Sequence, residues 1–136
     1  MRVLIVDDEP LFAEALELLL SADERIEVVG RAADGLEAVE LARKLEPDLV
    51  LMDLSMPGVD GFGATEQIAA EPGAARVLVL SGSEDPADVA KARKAGASGY
   101  ITKDRIAETL VEAILAAGAD GREGELPGGA DSRWDD

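Results

Sequence analysis

Four short runs of uninterrupted apolar residues punctuate the chain: Val3-Leu4-Ile5-Val6, Leu49-Val50-Leu51-Met52, Val77-Leu78-Val79-Leu80 and, more briefly, Tyr100-Ile101. Runs of this length between turn signals read as strands buried on both faces. They predict strands at Arg2 to Val6, Leu49 to Asp53, Val77 to Leu80 and Gly99 to Thr102, with a further strand from Ile26 to Gly30 or slightly beyond. Between them the apolar spacing changes to the helical period. Phe12, Ala15, Leu16, Leu19 and Leu20 predict one face of a helix over Leu11–Ser21, with Pro10 at its first position and Glu14 and Glu17 opposite. Asp34-Gly35-Leu36-Glu37 is an Asp-x-x-Glu capping box, after which Leu36, Val39, Leu41 and Leu45 carry a helix to the stop at Pro47.

After turns at Pro57-Gly58 and Asp60-Gly61, Phe62 to Glu71 reads as a third helix, interrupted by Gly63 and closed by Pro72-Gly73. Asp85-Pro86-Ala87-Asp88 gives the fourth helix an N-cap and a first-turn proline, and Gly96 ends it. Asp104 is read as the cap of a last helix from about Arg105 to Ala117. Strands alternating with helices of this length predict a parallel sheet covered on both faces, a doubly wound α/β domain. From Gly118 to Asp136 only Leu126 and Trp134 are large and apolar, and six acids stand against two arginines. That stretch is expected to be an acidic, Gly-rich disordered tail, leaving residues 1–117 as the domain.

Composition narrows the chemistry. With 136 residues there is chain enough for one core, and with 47% hydrophobic but 3% aromatic residues that core must be aliphatic. The absence of Cys and His excludes disulfides, thiol nucleophiles, zinc sites of the usual kind and Ser-His or Cys-His catalysis. Any metal would have to be held by oxygen, which favours hard cations. A net charge of -16 opposes direct binding of nucleic acid by this chain. No apolar run is long enough to span a membrane and Met1-Arg2 does not open a signal peptide, so the cytoplasm is the expected location.

The chemistry gathers where the strands end. Asp7 and Asp8 follow the first strand, Asp53 ends the third, Ser81 follows the fourth and Lys103 the fifth. In open α/β sheets ligands sit in the crevice outside these ends. One aspartate after a strand is more often a turn or cap residue. Three carboxylates with a hydroxyl and a lysine are more than turn chemistry. Two carboxylates about 4 Å apart repel by roughly 4 kcal/mol at an effective dielectric near 20. Such a cluster must raise a pKa or admit a divalent cation, and oxygen ligands suit Mg2+. A Mg2+-carboxylate-lysine pocket suits a phosphoryl group, with a carboxylate as nucleophile and an acyl phosphate as product.

These residues carry a resemblance. Val-Asp-Asp-Glu-Pro at 6–10, Met-Asp-Leu-Ser-Met-Pro-Gly-Val-Asp-Gly at 52–61, Leu-Ser-Gly at 80–82 and Gly-Tyr-Ile-Thr-Lys-Asp at 99–104 stand in the order and spacing of a bacterial two-component response-regulator receiver domain. The likeness covers residues 2 to about 117, and the Gly-Tyr-x-x-Lys-Asp ending resembles the subfamily that usually carries a C-terminal helix-turn-helix domain. The resemblance implies a flavodoxin-like sheet of order 2-1-3-4-5. It implies Asp53 as phosphoacceptor, with Mg2+ held by Asp8, Asp53 and the Ser55 backbone carbonyl, and by Asp7 through water. It implies Lys103 and Ser81 as phosphoryl-binding groups, with Ser81 and Tyr100 as a switch in which the ring turns inward when Ser81 moves. The implied partner is a histidine kinase, a homodimer is allowed, and DNA contact would belong to a separate effector domain. The readout would be the face formed by the fourth helix, fifth strand and fifth helix, its output either transcription regulation through an effector domain or direct protein contacts of a stand-alone regulator, and the only catalysis would be of the chain's own phosphorylation and dephosphorylation.

Three positions depart from the commonest pattern of that family. Ser81 stands where Thr is frequent, and Asp104 stands where Pro often follows the lysine, so the peptide after Lys103 is expected to be trans or strained. Ser55 and Ser83 offer no carboxylate or amide to orient an attacking water, which predicts slow autodephosphorylation. Two other functions share part of this chemistry. A Mg2+-dependent aspartate-nucleophile phosphatase would resemble Asp-x-Asp-x-Thr after the first strand, which Asp7-Asp8-Glu9-Pro10 does not. A phosphorylation-independent interaction domain would keep the fold without the transfer. A P-loop NTPase is excluded for want of Gly-x-x-x-x-Gly-Lys-Ser/Thr.

Overall fold

The computed structural model describes residues 1–54, 61–71 and 75–119. Strands and helices alternate in it as β1 (Arg2–Val6), α1 (Pro10–Ser21), β2 (Glu27–Ala32), α2 (Gly35–Leu45), β3 (Leu49–Asp53), α3 (Gly61–Ala69), β4 (Arg76–Ser81), α4 (Pro86–Lys94), β5 (Gly99–Thr102) and α5 (Ile106–Ala119). A 3-10 turn, Lys103–Arg105, joins β5 to α5. The sheet is parallel throughout, in the order β2-β1-β3-β4-β5. The expected doubly wound α/β architecture and flavodoxin-like strand order are therefore both observed.

Alternation along the inner strands sorts the core into two layers. Val3, Ile5, Leu49, Leu51, Leu78, Leu80 and Ile101 face α1 and α5, while Leu4, Val6, Val50, Met52, Val77, Val79 and Tyr100 face α2, α3 and α4. Both faces are covered, which is why these strands read as unbroken apolar runs. Each fully buried Leu, Ile or Val contributes about 1.5–3 kcal/mol. The edge strand β2 is covered only in part and ends at Ala32, and its pairing with β1 shifts register between Val3 and Leu4. It begins one residue later than its apolar pattern suggests.

The helix ends follow local rules. Asp34 accepts the Glu37 N–H at 2.8 Å, and Glu37 in return accepts the Ala33 N–H at 2.8 Å. Asp85 caps α4 by accepting from the Ala87 N–H at 2.9 Å. The carboxyl end of α2 is closed by Glu46 at φ 49, and the Arg2 guanidinium donates to the carbonyls of Leu45 and Glu46 at 2.7 and 2.9 Å. Gly96 ends α4 at φ +105, where an L side chain is strained, and a Cβ there would lie 2.8 Å from that of Ala69. Gly61 opens α3 so close to the end of β3 that a Cβ would lie 2.9 Å from Leu54 Cδ2.

Some expectations about faces and ends fail. Ala15 points to solvent and Ala13 is buried instead; Leu11 and Leu18 are also exposed. Leu36 is 74% exposed, its place against the sheet taken by Ala38. Asp104 sits inside the 3-10 turn rather than capping α5, which starts at Ile106 and runs two residues past Ala117. No cis peptide occurs among the described residues. The turn at Pro57-Gly58, the stop at Pro72-Gly73, the Ser55 carbonyl and residues 120–136 of the expected tail lie outside the described residues. Among the described residues, no helix is long and apolar enough to cross a membrane.

Candidate functional site

Parallel register brings the polar residues to one edge of the sheet. Val6 pairs with Met52, Asp53 with Leu80, and Ser81 with Thr102. Asp7 therefore comes level with Asp53, and Ser81 and Lys103 each stand one position beyond a paired neighbour. Asp53 and Asp7 are buried, Asp8 is exposed, and a carboxylate oxygen from each lies within 4.8 Å of the others. Lys103 Nζ is 3.2 Å from Asp53 Oδ1 and 3.3 Å from Oδ2. Its other side faces the Phe12 ring of α1, with the centroid 4.6 Å away.

Asp7 is the strained member of the cluster. Its Oδ1 accepts the Glu9 N–H at 2.8 Å, but its buried Oδ2 has no hydrogen-bond partner. Burial, reinforced by the charge of Asp53 and opposed by the Glu9 N–H and Lys103, pushes its carboxyl from 3.8 up to about 6. An orphaned carboxylate oxygen inside a three-carboxylate cluster, with oxygen donors only, fits a hard divalent cation such as Mg2+. Asp7, Asp8 and Asp53 could hold it.

The β4–α4 connection is tied to the site by hydrogen bonds centred on Ser83. Its N–H donates to Ser81 Oγ at 3.0 Å, its hydroxyl donates to Asp88 at 2.7 Å and accepts from the Asp85 N–H at 3.1 Å, and its carbonyl accepts from the Tyr100 hydroxyl at 2.9 Å. The Tyr100 ring is fully buried, pointing inward. Leu54, Phe62, Ser81, Gly82, Ser83 and Asp88 line a cavity of about 310 Å³ beside this connection.

The structure thus gathers Asp7, Asp8, Asp53 and Lys103 at one point and links Ser81 to Tyr100 through Ser83. Sequence reasoning missed three features of the surroundings. Phe12 looked like an ordinary core position, the Ser83–Asp88 bond spans a loop and a helix, and the Thr102 hydroxyl is buried without a partner. The β-strand position of Thr102 beside Ser81 was the available signal for the last; nothing in the sequence marked the other two.

Comparison with known proteins agrees with this geometry. The family model described as "Response regulator receiver domain" matches residues 3–115. The transcriptional regulatory protein LnrK of Bacillus subtilis (strain 168) is 39% identical over 121 residues, covering 89% of this chain and 55% of that protein. The nitrate/nitrite response regulator protein NarL of Escherichia coli (strain K12) is 38% identical over 117 residues, covering 86% and 54%. The crystal structure of a two-component response regulator of the LuxR family from Aurantimonas sp. SI85-9A1 superposes with a TM-score of 0.84 at 42% identity, covering 93% of this chain and 89% of that one. The chain spans about half the length of the two curated relatives.

Proposed function

The chain belongs to the response regulator receiver domain family, and from that membership we propose that it takes a phosphoryl group from a histidine kinase onto Asp53 and transmits the change through the face formed by α4, β5 and α5. The observation that carries this reading is the meeting of Asp7, Asp8 and Asp53 within 4.8 Å with Lys103 bridging both oxygens of Asp53. Three chain segments supply that cluster, the ends of β1, β3 and β5, and no packing requirement asks for it.

An Asp53 oxygen attacks phosphorus, forming the acyl O–P bond as the N–P bond to the kinase imidazole breaks and its electron pair returns to the ring nitrogen. Asp8, Asp53 and the Ser55 carbonyl would hold Mg2+ directly and Asp7 through water; when bound, the ion neutralises charge on the transferring phosphoryl oxygens. Lys103 is placed to leave the Asp53 carboxylate for a phosphoryl oxygen. Ser81 Oγ already accepts from the Ser83 N–H, which leaves its proton to donate to another such oxygen. Two charge-assisted bonds of about 1.5–3 kcal/mol each suffice to invert a two-state equilibrium of moderate bias.

The switch runs from Ser81 through Ser83 to Tyr100. A shift of Ser81 toward the phosphoryl group would carry the Ser83 carbonyl with it and fix the inward Tyr100 ring against β5. The relatives are named as transcriptional regulators; for this chain we infer a transcriptional output whose DNA contact belongs to another domain or chain, since a net charge of -16 repels phosphodiester.

Incubation with a phosphorylated histidine kinase and Mg2+ tests the proposal. Wild-type chain should gain one phosphoryl group and Asp53→Ala none. Transfer that persists in Asp53→Ala would refute it. Steady hydrolysis of small phosphoesters would favour the aspartate-nucleophile phosphatase instead, and partner binding with no transfer at all would favour the phosphorylation-independent interaction domain.

A further inference from the structure

Both phenylalanines of the chain lie under a lysine ammonium: Lys91 Nζ is 4.5 Å from the Phe62 centroid and Lys103 Nζ is 4.6 Å from that of Phe12. The second pair touches the site. Lys103 reaches both oxygens of Asp53, yet at 3.2 and 3.3 Å. A charge-assisted N–H···O bond usually closes to about 2.7–2.9 Å. Asp53 is only 2% exposed and the lysine side chain 26% exposed, so the ammonium is shared between the two carboxylate oxygens and the group that faces its other side. The Phe12 ring, held at the start of α1 by packing against the core layer shared with α5, is the group on that side.

We propose that Phe12 is a positioning residue for Lys103, its ring holding the ammonium off Asp53 and over the space that the phosphoryl oxygens enter; this deepens the phosphoacceptor reading and rests on it. A ring face attracts a cation without fixing it at one point. Lys103 can therefore slide from the carboxylate to a phosphoryl oxygen while staying sheltered. Without the ring the ammonium closes onto Asp53 in a tight ion pair, which draws electron density from the nucleophilic oxygen and covers it. Phe12 offers no side-chain oxygen to a cation held by Asp7, Asp8 and Asp53, so Mg2+ affinity should not depend on it.

The test is phosphorylation by phosphoramidate with saturating Mg2+, followed by intact mass, for wild type, Phe12→Leu, Phe12→Tyr, Lys103→Met and the Phe12→Leu/Lys103→Met pair. Phe12→Leu should lower the maximal rate by about 2- to 30-fold, the range a cation–π contact supports. The half-saturating phosphoramidate and Mg2+ concentrations should stay unchanged, and Phe12→Tyr should restore the rate. In the Lys103→Met background Phe12→Leu should have no further effect. An equal loss in that background, equal loss with Tyr, or no loss at all overturns the proposal. Independently of any transfer, the ε-methylene protons of Lys103 should show an upfield ring-current shift that Phe12→Leu removes. Absence of that shift in the wild type also overturns it. A wild-type chain that shows the shift but takes no phosphoryl group refutes the phosphoacceptor reading, and with it the positioning role.

Discussion

The Tyr100 hydroxyl donates a 2.9 Å hydrogen bond to the Ser83 carbonyl, joining a fully buried ring on β5 to the loop that leaves Ser81. Tyr100→Phe keeps the ring and removes that bond. It should cost about 1 kcal/mol, read as a lower urea midpoint at unchanged slope. It should also weaken the change in α4 amide exchange on phosphorylation, because the loop loses its tie to β5.

Asp7 should make stability depend on pH and on added divalent cations. Its folded pKa, about 6, lies above the 3.8 of the unfolded chain, so the native state binds more protons between those values. Stability contributed by this group is therefore greatest below pH 3.8 and falls as pH rises through about 6. At full size the difference is on the order of 2–3 kcal/mol. Without divalent cations, Asp7→Asn should be more stable than wild type at pH 8, and the gap should close toward pH 4. Added Mg2+ should raise the wild-type melting temperature at pH 8 and the variant's less. Thermal melts across pH with chelator and with Mg2+ check both signs.

Ser83 predicts a long-lived acyl phosphate. Its hydroxyl is committed to Asp88 and to the Asp85 N–H, so it is not free to orient an attacking water. Decay of phosphorylated chain with Mg2+, followed by phosphate-affinity electrophoresis, should take minutes or longer. Ser83→Glu, which brings a carboxylate to that position, should shorten it several-fold. A wild-type half-life of seconds would contradict the assignment.

Gly96 meets two demands at once, φ +105 and a Cβ position 2.8 Å from Ala69 Cβ. Gly96→Ala should destabilise by about 1–3 kcal/mol. Adding Ala69→Gly should recover only the steric part. Full recovery, in chemical denaturation of the pair, would show that backbone strain contributes nothing.

Local physics wrote most of the fold into the sequence. Parallel strands covered on both faces must be continuous apolar runs, so β1, β3, β4 and β5 were legible to within a residue, and the Asp34 and Asp85 caps fixed their helices because capping involves only the next three positions. The faces of α1 were not legible. That helix carries Leu or Ala on nearly every side, so its periodicity selects no single stripe, and only the seat on the sheet decided that Ala13 is buried while Leu11, Ala15 and Leu18 are exposed.

The candidate site divides in the same way. The positions of Asp7, Asp8, Asp53, Ser81 and Lys103 at strand ends follow from sequence, because a parallel sheet must place those ends together. How they meet required the tertiary structure: the orphaned oxygen of Asp7, the long contacts of Lys103 to Asp53, the ring of Phe12 behind it and the Ser83 bridge from Ser81 to Tyr100. Those contacts join residues as many as 91 positions apart. Their distances depend on how α1 and the β4–α4 loop pack against the sheet, which no local pattern encodes.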